Sequence, residues 1–550
     1  MTLRQSVTPS LRSSEDKPVY YARGLAVGKS LKCGHPPAQG DNIPVFLCPL
    51  HFRLEMYPTS SDNLSDAEKG NLSHVSSSDN LKKKDGSETA TVTVQPVSAL
   101  DTPPIGKEMA VPTLPKTPRK VPQRASRWIR FQLWFNTYRK FFTLVMTLNV
   151  IGLVLSAASV WTYPRHYTGA FVLGNLQAAI LVRNELFGRL LYLIVNTLFA
   201  KWTPLALRLA CTSILQHLGG IHSACAISGF MWLVFKIILI AVDMKNSHVA
   251  IFVMGVVTLA AITVSILSAF PWVRNTHHNV FEKHHRFIGW LGLIFTWVFV
   301  ILGDSYDLDT HTFNADGDHI AKQQDFWFIL GMSIFVIIPW LTVRRVKVEV
   351  EIPSPKAVIL RFERGMQQGL LARISRSSAM EYHAFGIISE GIHSNKHYLI
   401  CGVQGDFTKG LVENPPTHLW TRELKFAGVS NTSTLYKRGI RVCTGTGLGA
   451  ALSTCLQSPD WYLIWIGSDQ EKTFGPTIAG LIHDNLEGRV TLWDSKKRGG
   501  RPDTMQLIKD VYKSWNAEVV FITSNWSGNQ EMMEGCKEAG IPAFGTLWDF

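Results

Sequence analysis

Cysteine is scarce and unpatterned in this 550-residue chain: eight in all, Cys33, Cys48, Cys211, Cys225, Cys401, Cys443, Cys455 and Cys536. No spacing repeats, which excludes a disulfide-framed secreted domain and leaves reduced thiols, cytosolic or membrane-buried. Positions 1–14 are polar and carry no apolar run, so no cleavable leader is expected there. Residues 1–125 lack periodic apolar pattern. Tracts such as Ser76-Ser77-Ser78-Asp79 and Lys82-Lys83-Lys84-Asp85 cannot bury enough surface to fold, and Pro112, Pro115, Pro118 and Pro122 read as an extended linker. Acidic residues are also in deficit, 42 Asp and Glu against 55 Lys and Arg, a net charge of +13. In a soluble chain that excess would point to nucleic acid. Here the basic residues flank apolar runs, so a membrane accounts for them and no nucleic-acid partner is expected. One set of soft ligands, Cys33-x-His35 with Cys48-x-x-His51, has zinc-type donors, but no ββα pattern surrounds it and chance spacing is the preferred explanation.

What the middle of the chain has is long apolar runs. They fall at about 141–161, 169–182 with a continuation to 200, 221–242, 249–270, 287–303 and 326–343, each near the ~20 residues a bilayer-crossing helix needs. The second is irregular. As one helix, 169–200 would be about 48 Å long, and it carries Arg183, Asn184, Glu185 and Arg189. It is read as one span with an interfacial, amphipathic extension. Charge sets the parity: Arg127, Arg130, Arg139 and Lys140 precede the first span, Lys201 and Arg208 follow the second, Arg274, Lys283 and Arg286 separate the fourth from the fifth, and Arg344, Arg345 and Lys347 follow the sixth. The loop before the sixth span is acidic. The positive-inside rule then gives six spans, an integral membrane protein and both termini in the cytosol. Intramembrane Lys236 and an Arg183–Glu185 pair are expected to face the bundle interior.

Residues 346–436 change to short β-rich runs broken by Gly, Pro and Ser, which predicts a small antiparallel barrel. From 437 to 550 strands and helices alternate, with apolar runs of buried-strand length at 461–467, 490–493 and 519–523, which predicts a doubly wound parallel sheet. The partition is therefore 1–125 without folded pattern, 126–345 a six-span α-helical bundle, 346–436 a barrel and 437–550 an α/β domain. The cytosolic part is expected to hang from the bundle by 344–347 alone.

Within the last segment, Ile440 and Val442 lead into Gly445-Thr446-Gly447-Leu448-Gly449 and then an Ala-rich helix. Such a turn supports pyrophosphate binding, because glycines let the backbone approach the phosphates and the N–H groups at the helix start point at the anion. Packing alone can also call for a strand–Gly–helix turn.

Several stretches in order resemble the fungal TmpA-type integral membrane proteins of the ferric reductase and NADPH oxidase superfamily: QAAILVRNELF (177–187), GGIHSACAISG (219–229), HNVFEKHHRFIGW (278–290), RISRSSAMEYHAFGII (373–388), GVQGDFTKGLV (402–412), GTGLGA (445–450) and GIPAFGTLWDF (540–550). The resemblance implies a ferredoxin–NADP reductase-like cytosolic part that takes a hydride from NAD(P)H onto FAD and passes electrons to a small-molecule acceptor at the membrane. It implies that Tyr382, His383 and Phe385 lie against the flavin, with Ala384 and Gly386 where the family has Pro and Thr or Ser. Gly405, Asp406 and Thr408 match the stretch that approaches the flavin pyrophosphate, and Arg373 and Arg376 would offset phosphate charge. Gly445, Thr446, Gly447 and Gly449 would cradle the nucleotide. Phe550 matches the terminal aromatic that covers the flavin, with a buried terminal anchor as the other reading. Ser524 stands where relatives have Cys. His222 and His285 match the inner-haem ligands and would hold one haem b; His217, His277, His278 and His284 are neighbouring alternatives, and interfacial histidines pairing with lipid or Glu282 the competing reading. Phe235, Lys236, Val298 and Phe299 stand where outer-haem histidines would be, so no outer haem is expected. A basic run, Lys496, Lys497, Arg498 and Arg501, favours a 2′-phosphate and Asp469 opposes it, leaving NADH or NADPH open. A sensor or scaffold that keeps the reductase fold is the alternative function. A transporter is disfavoured because no inverted repeat is visible.

Overall fold

The computed structural model describes residues 125–547, apart from 315 and 380. Positions 1–124, with the Cys33/His35/Cys48/His51 set, and the last three residues, with Trp548 and Phe550, lie outside the described residues. A short aromatic helix, Arg127–Trp134, opens the described chain. Apart from three short helices of four to six residues, eight follow: α1 (Thr137–Ala157), α2 (Thr168–Leu181), α3 (Glu185–Leu198), α4 (Leu205–Gln216), α5 (Gly219–Val242), α6 (Val249–Ser268), α7 (His278–Ser305) and α8 (Gln324–Leu341). Among the described residues five of these, α1, α5, α6, α7 and α8, are long and apolar enough to cross a membrane. The expected second span differs. It is a 14-residue apolar helix, α2, about 21 Å long, packed inside the bundle: Val172 and Leu173 are buried against α5 and α8. The chain breaks at 182–184 because Asn184 caps the next helix. Its Oδ1 accepts from the Leu186 and Phe187 N–H groups, and its Nδ2 donates to the Phe335 carbonyl on α8. Lys236 does face the interior, where its Nζ lies 3.3 Å from Asp325 Oδ2 and 5.3 Å from the Phe299 ring centre.

After α8 the chain enters a curled antiparallel sheet: β1 (Val343–Lys347), β2 (Glu349–Ser354), β3 (Ala357–Glu363), β4 (Leu370–Ser375), β5 (His383–Ile388), β6 (Lys396–Gly402), β7 (His418–Arg422) and β8 (Phe426–Ala427), with helix α9 (Asp406–Glu413) between β6 and β7. The strand order is β1-β7-β4-β5-β6-β3-β2, with β8 also on β4. Among the described residues no ladder joins β1 to β2, so the sheet curls without closing. The final segment is a parallel sheet of β9 (Gly439–Thr444), β10 (Trp461–Gly467), β11 (Val490–Asp494), β12 (Val519–Thr523) and β13 (Ala543–Phe544), in the order β11-β10-β9-β12-β13. Helices α10 (Leu448–Gln457), α11 (Gln470–Asn485), α12 (Thr504–Ser514) and α13 (Trp526–Glu538) alternate with the strands. The chain reverses direction across β9, so the gap between the C-terminal ends of β9 and β12 is the topological switch point, where open α/β sheets bind ligands.

The two sheets do not hang from the bundle by 344–347 alone. Helices α3 and α4 leave the bundle and pack onto both sheets. Tyr192, Leu215 and Leu218 share one buried cluster with Val358, Leu360 and Leu399 of the curled sheet, and Cys211 shares another with Tyr436, Trp461 and Phe521. Polar contacts fix the register. Arg208 forms a two-point ion pair with Glu518, 2.6 and 3.0 Å, and donates to the Leu435 carbonyl at 3.0 Å. The Thr212 and Tyr436 hydroxyls are 2.7 Å apart, Asn196 donates to the Asn431 side-chain oxygen at 2.9 Å, and Gln216 donates to the Gly545 carbonyl at 2.7 Å. Glu185 does not pair with Arg183. It is fully buried between Arg422 (2.6 Å) and Arg373 (3.6 Å) of the curled sheet.

His397 on β6 is a pH-sensitive core position. It is 3% exposed, stacks on Phe362 at 5.2 Å and holds the Arg364 carbonyl oxygen 2.6 Å from Nδ1. Burial lowers its pKa to about 4, against the opposing hydrogen bond. The folded state therefore prefers neutral imidazole. That contribution is complete above the unfolded pKa and is lost as pH falls from about 6.5 toward 4, a loss of about 3 kcal/mol for full protonation. Thermal unfolding at pH 7 and pH 4.5 should show the decline, and His397→Gln should flatten it.

Candidate functional site

The glycine turn sits where the fold places ligands. Val442 and Ile440 face one apolar core, and β9 ends at Thr444. Gly445 then takes φ +50, and a Cβ there would meet nothing within 4 Å; the turn needs a residue tolerant of left-handed backbone, and its outer side is open. Trp465 Nε1 donates to the Gly445 carbonyl at 3.0 Å and fixes the turn. Gly447 has a different reason: a Cβ would lie 2.5 Å from the Thr523 carbonyl oxygen, because the ends of β9 and β12 approach closely. Thr446 lies over Gly402, whose Cβ would sit 3.1 Å from its methyl group, and Gly449 faces Ile400 at ordinary contact distance. Across the switch point, the hydroxyl oxygens of Thr444 and Ser524 are 2.8 Å apart, and Ser524 is 4% exposed.

The curled sheet approaches from the other side. A Cβ at Gly386 would lie 2.5 Å from the Ala450 Cα. Glycine at this place, where the resembling family has Thr or Ser, follows from β5 lying directly against the first turn of α10. The sequence-predicted flavin residues fall into two groups. His383 stacks on Phe407 at 4.1 Å with a 26° interplanar angle, and Phe385 lies 6.5 Å from the same ring. Next to this stack α9 begins at Asp406. The Gln404 and Gly405 N–H groups donate to Thr408 Oγ1, Asp406 is exposed, and nothing lies within 4 Å of a Cβ placed at Gly405. A largely buried aromatic stack thus adjoins an open helix N-terminus, a combination suited to a planar ring with an attached phosphate. The second group turns away. Tyr382 is 1% exposed beside Trp340 and Arg422, Arg373 belongs to the Glu185 cluster, and Arg376 caps the far end of α9 by donating to the Gly410 and Asn414 carbonyls, the latter at 2.8 Å.

Sequence reasoning missed Arg441, which is 1% exposed in the middle of β9. Its Nη2 donates to the Ala450 carbonyl at 2.6 Å and lies 3.4 Å from Thr523 Oγ1, and its guanidinium sits 5.5 Å from the Phe521 ring. Burial lowers its pKa to about 10. It braces the glycine-turn helix against the end of β12. The legible signal was a lone arginine between two apolar residues of a buried strand. The basic run near β11 is already engaged: Lys496 Nζ is 2.5 Å from Asp469 Oδ2, Lys497 Nζ 3.3 Å from Glu471 Oε2, and Arg498 4.6 Å over the Trp493 ring. Asp494 organises both loops by accepting from the Asp469, Gln470, Lys496 and Lys497 N–H groups. Burial raises its carboxyl, and these donors more than offset that and hold it below the usual range.

In the bundle, His222 Nδ1 lies 2.9 Å from the Ala179 carbonyl oxygen on α2, and His285 Nδ1 lies 3.1 Å from the Ser265 carbonyl oxygen on α6. The two imidazoles turn toward different helices. Where bundle and sheets meet there is a cavity of about 80 Å³ that includes Tyr138, Arg183, Gly219, Gly386, Thr523 and Leu547 in its wall.

A family model described as the C-terminal domain of adenylate-forming reductase 03009 matches residues 429–550. The chain is 30% identical over 442 residues to adenylate-forming reductase 06235 of Coprinopsis cinerea, covering 79% of this chain and 42% of that protein. It is 30% identical over 440 residues to adenylate-forming reductase 03009 of the same organism, 78% of this chain and 42% of that one. The chain therefore spans well under half the length of these curated relatives. Among solved structures, it is similar to the ferredoxin reductase in carbazole 1,9a-dioxygenase, at 12% identity and a TM-score of 0.30 over 37% of this chain and 69% of that one. It is also similar to the ferredoxin–NADP+ reductase of Plasmodium falciparum with 2′P-AMP, at 9% identity and a TM-score of 0.29 over 37% and 95%.

Proposed function

We propose that this chain is a membrane-bound flavoprotein oxidoreductase that takes reducing equivalents from NAD(P)H and delivers them to an acceptor on the membrane side. The observation that carries the reading is the meeting of three parts at one place: an open Gly445 turn at a topological switch point, the β5 strand against that turn's helix, and membrane-derived helices packed on both sheets. The C-terminal-domain match over 429–550 covers the same α/β part, and the relatives are named reductases, which supports the assignment. FAD would be held by His383, Phe385 and Phe407 at its ring and by the N-terminus of α9, Gly405 to Thr408, at its phosphates; when bound it supplies hydride acceptance and one-electron release. The Gly445–Gly449 turn would hold the pyrophosphate of the nicotinamide nucleotide. Ser524, paired with Thr444, would face the nicotinamide, and Phe550 keeps the proposed role of covering the flavin. Tyr382, Arg373 and Arg376 would act as structural neighbours of the site rather than as contacts.

The membrane layout proposed with it is six spans, counting α2 as a short buried one, with both termini cytosolic and the divisions at 125, 345 and 436. One haem b between His222 and His285 is part of the proposal on donor chemistry alone: each residue supplies an imidazole, a donor such a group takes. A degenerate sensor or scaffold is the second reading, favoured by Gly447, which packing against Thr523 explains without any nucleotide. Absorbance of the detergent-purified protein separates them. A flavin spectrum supports the reductase, colourless cofactor-free protein supports the scaffold, and a low-spin b-type spectrum lost in His222→Ala and in His285→Ala would add the haem.

Nucleotide preference should follow the Asp469–Lys496 pair. With the ammonium engaged, NADH is the expected substrate. Asp469→Asn frees Lys496 for a 2′-phosphate, and one charge-assisted contact corresponds to about a tenfold shift in KM ratio toward NADPH. An unchanged ratio would place the adenosine ribose elsewhere.

A further inference from the structure

Helix α3 has two opposite faces that the sheets alone do not account for. At 100° per residue, Glu185, Gly188, Tyr192 and Asn196 line the side turned to the curled sheet, where the first three are buried and Asn196 bonds to Asn431. The opposite side presents Leu190, Leu193, Ile194 and Leu198, exposed by 47, 62, 40 and 56%. Trp202, in the turn to α4, is 77% exposed, and α4 repeats the arrangement, with Arg208, Thr212 and Leu215 buried toward the sheets and Leu207 and Ile214 exposed.

We propose that this outer face of α3 and α4 lies in the lipid interface, so that α3 is held between the bilayer surface and the curled sheet and fixes how the reductase part sits under the membrane. The inference rests on the proposed membrane reading of the bundle. The occupant follows from chain continuity. Only three residues separate α2 from α3, and two separate α4 from α5, and each residue spans at most about 3.6 Å. Both ends of the α3–α4 pair are thus tied to the cytosolic ends of bundle helices, and one face is taken by the sheets. The remaining face is apolar, edged by an exposed tryptophan and Lys201, the pattern of a helix lying at the headgroup–acyl boundary. A peptide partner would find no groove here and would have to compete with the membrane the helix cannot leave.

The test uses the full chain in nanodiscs of brominated phosphatidylcholine with phosphatidylserine. Cys33 and Cys48 are replaced by serine, the six buried cysteines stay in place, and one added cysteine at Leu193, Trp202 or Thr434 carries an environment-sensitive fluorophore; Val253, 50% exposed on α6, is the control. The expected result is strong quenching at 193 and 202 by bromine placed near the headgroup, weaker quenching by bromine deep in the chain, deep quenching at 253 and none at 434. Quenching at 253 with silence at 193 and 202 overturns the surface assignment while leaving the membrane reading intact. Silence at 253 as well overturns the membrane reading itself. Disulfide-linked dimers through Leu193→Cys, with no lipid quenching, would assign the face to a second copy and also overturn the proposal.

Discussion

Replacing Glu185 by alanine is expected to destabilise the protein by about 3–5 kcal/mol, the cost of leaving buried charge without its counter-ion. Its carboxylate is fully buried and holds two guanidiniums, Arg422 at 2.6 Å and Arg373 at 3.6 Å, which in turn lie over Trp340, Tyr382 and Phe426. Removing the acid strands two cations where α3 meets the curled sheet. The melting temperature of detergent-purified protein should fall by roughly 10 °C, with early proteolysis in α3. Glu185→Gln, which keeps the shape and loses the charge, should behave similarly. The pair Glu185→Leu with Arg422→Met should lose less than the sum of its single changes, because no buried charge is then left over at position 422. Single variants with wild-type stability would mean that α3 does not dock as described.

Gly445→Asp is expected to weaken NAD(P)H binding about 100-fold, while Gly445→Asn leaves it within a few-fold. Both side chains tolerate the left-handed backbone that φ +50 requires, and both enter open space, so the comparison isolates charge. One carboxylate about 5 Å from a phosphate, at an effective dielectric of about 20, repels it by about 3 kcal/mol. Position 447 is unsuitable for this purpose, because any side chain there collides with Thr523 before it meets a ligand. Equal affinities for the Asp and Asn variants, measured by titration against the flavin fluorescence, would remove the turn from the nucleotide site.

The parallel sheet was legible because buried strands read as short continuous apolar runs. The runs at 461–467, 490–493 and 519–523 coincide with β10, β11 and β12 to within a residue, and the glycine turn marks the end of β9. The helices that join bundle to sheets were not legible. Glu185 and Arg208 read as an intramembrane cost and a topology marker, because their partners Arg422 and Glu518 lie 237 and 310 residues away in the chain. The break before α3 was half legible: the apolar run stops at 182 and Arg183, Asn184 and Glu185 mark the extension beyond it, but the two-sided bonding of Asn184 that ends the helix was not. At the candidate site, Gly386 looked like a lost hydroxyl donor until the approach of Ala450 supplied a steric reason. Arg373 and Tyr382 read as ligand contacts in the sequence; in the fold they lie beside Glu185 of α3 and Trp340 of α8, neighbours that local motif spacing does not reveal.

The most direct test of the central claim is anaerobic mixing of the detergent-purified 550-residue chain with NADH or NADPH while the visible flavin band is followed. The account predicts bound flavin that bleaches in a saturable manner, with the Gly445→Asp variant retaining the flavin and losing saturation. Purified, folded protein that carries no flavin, or that carries flavin indifferent to both nucleotides, would contradict it.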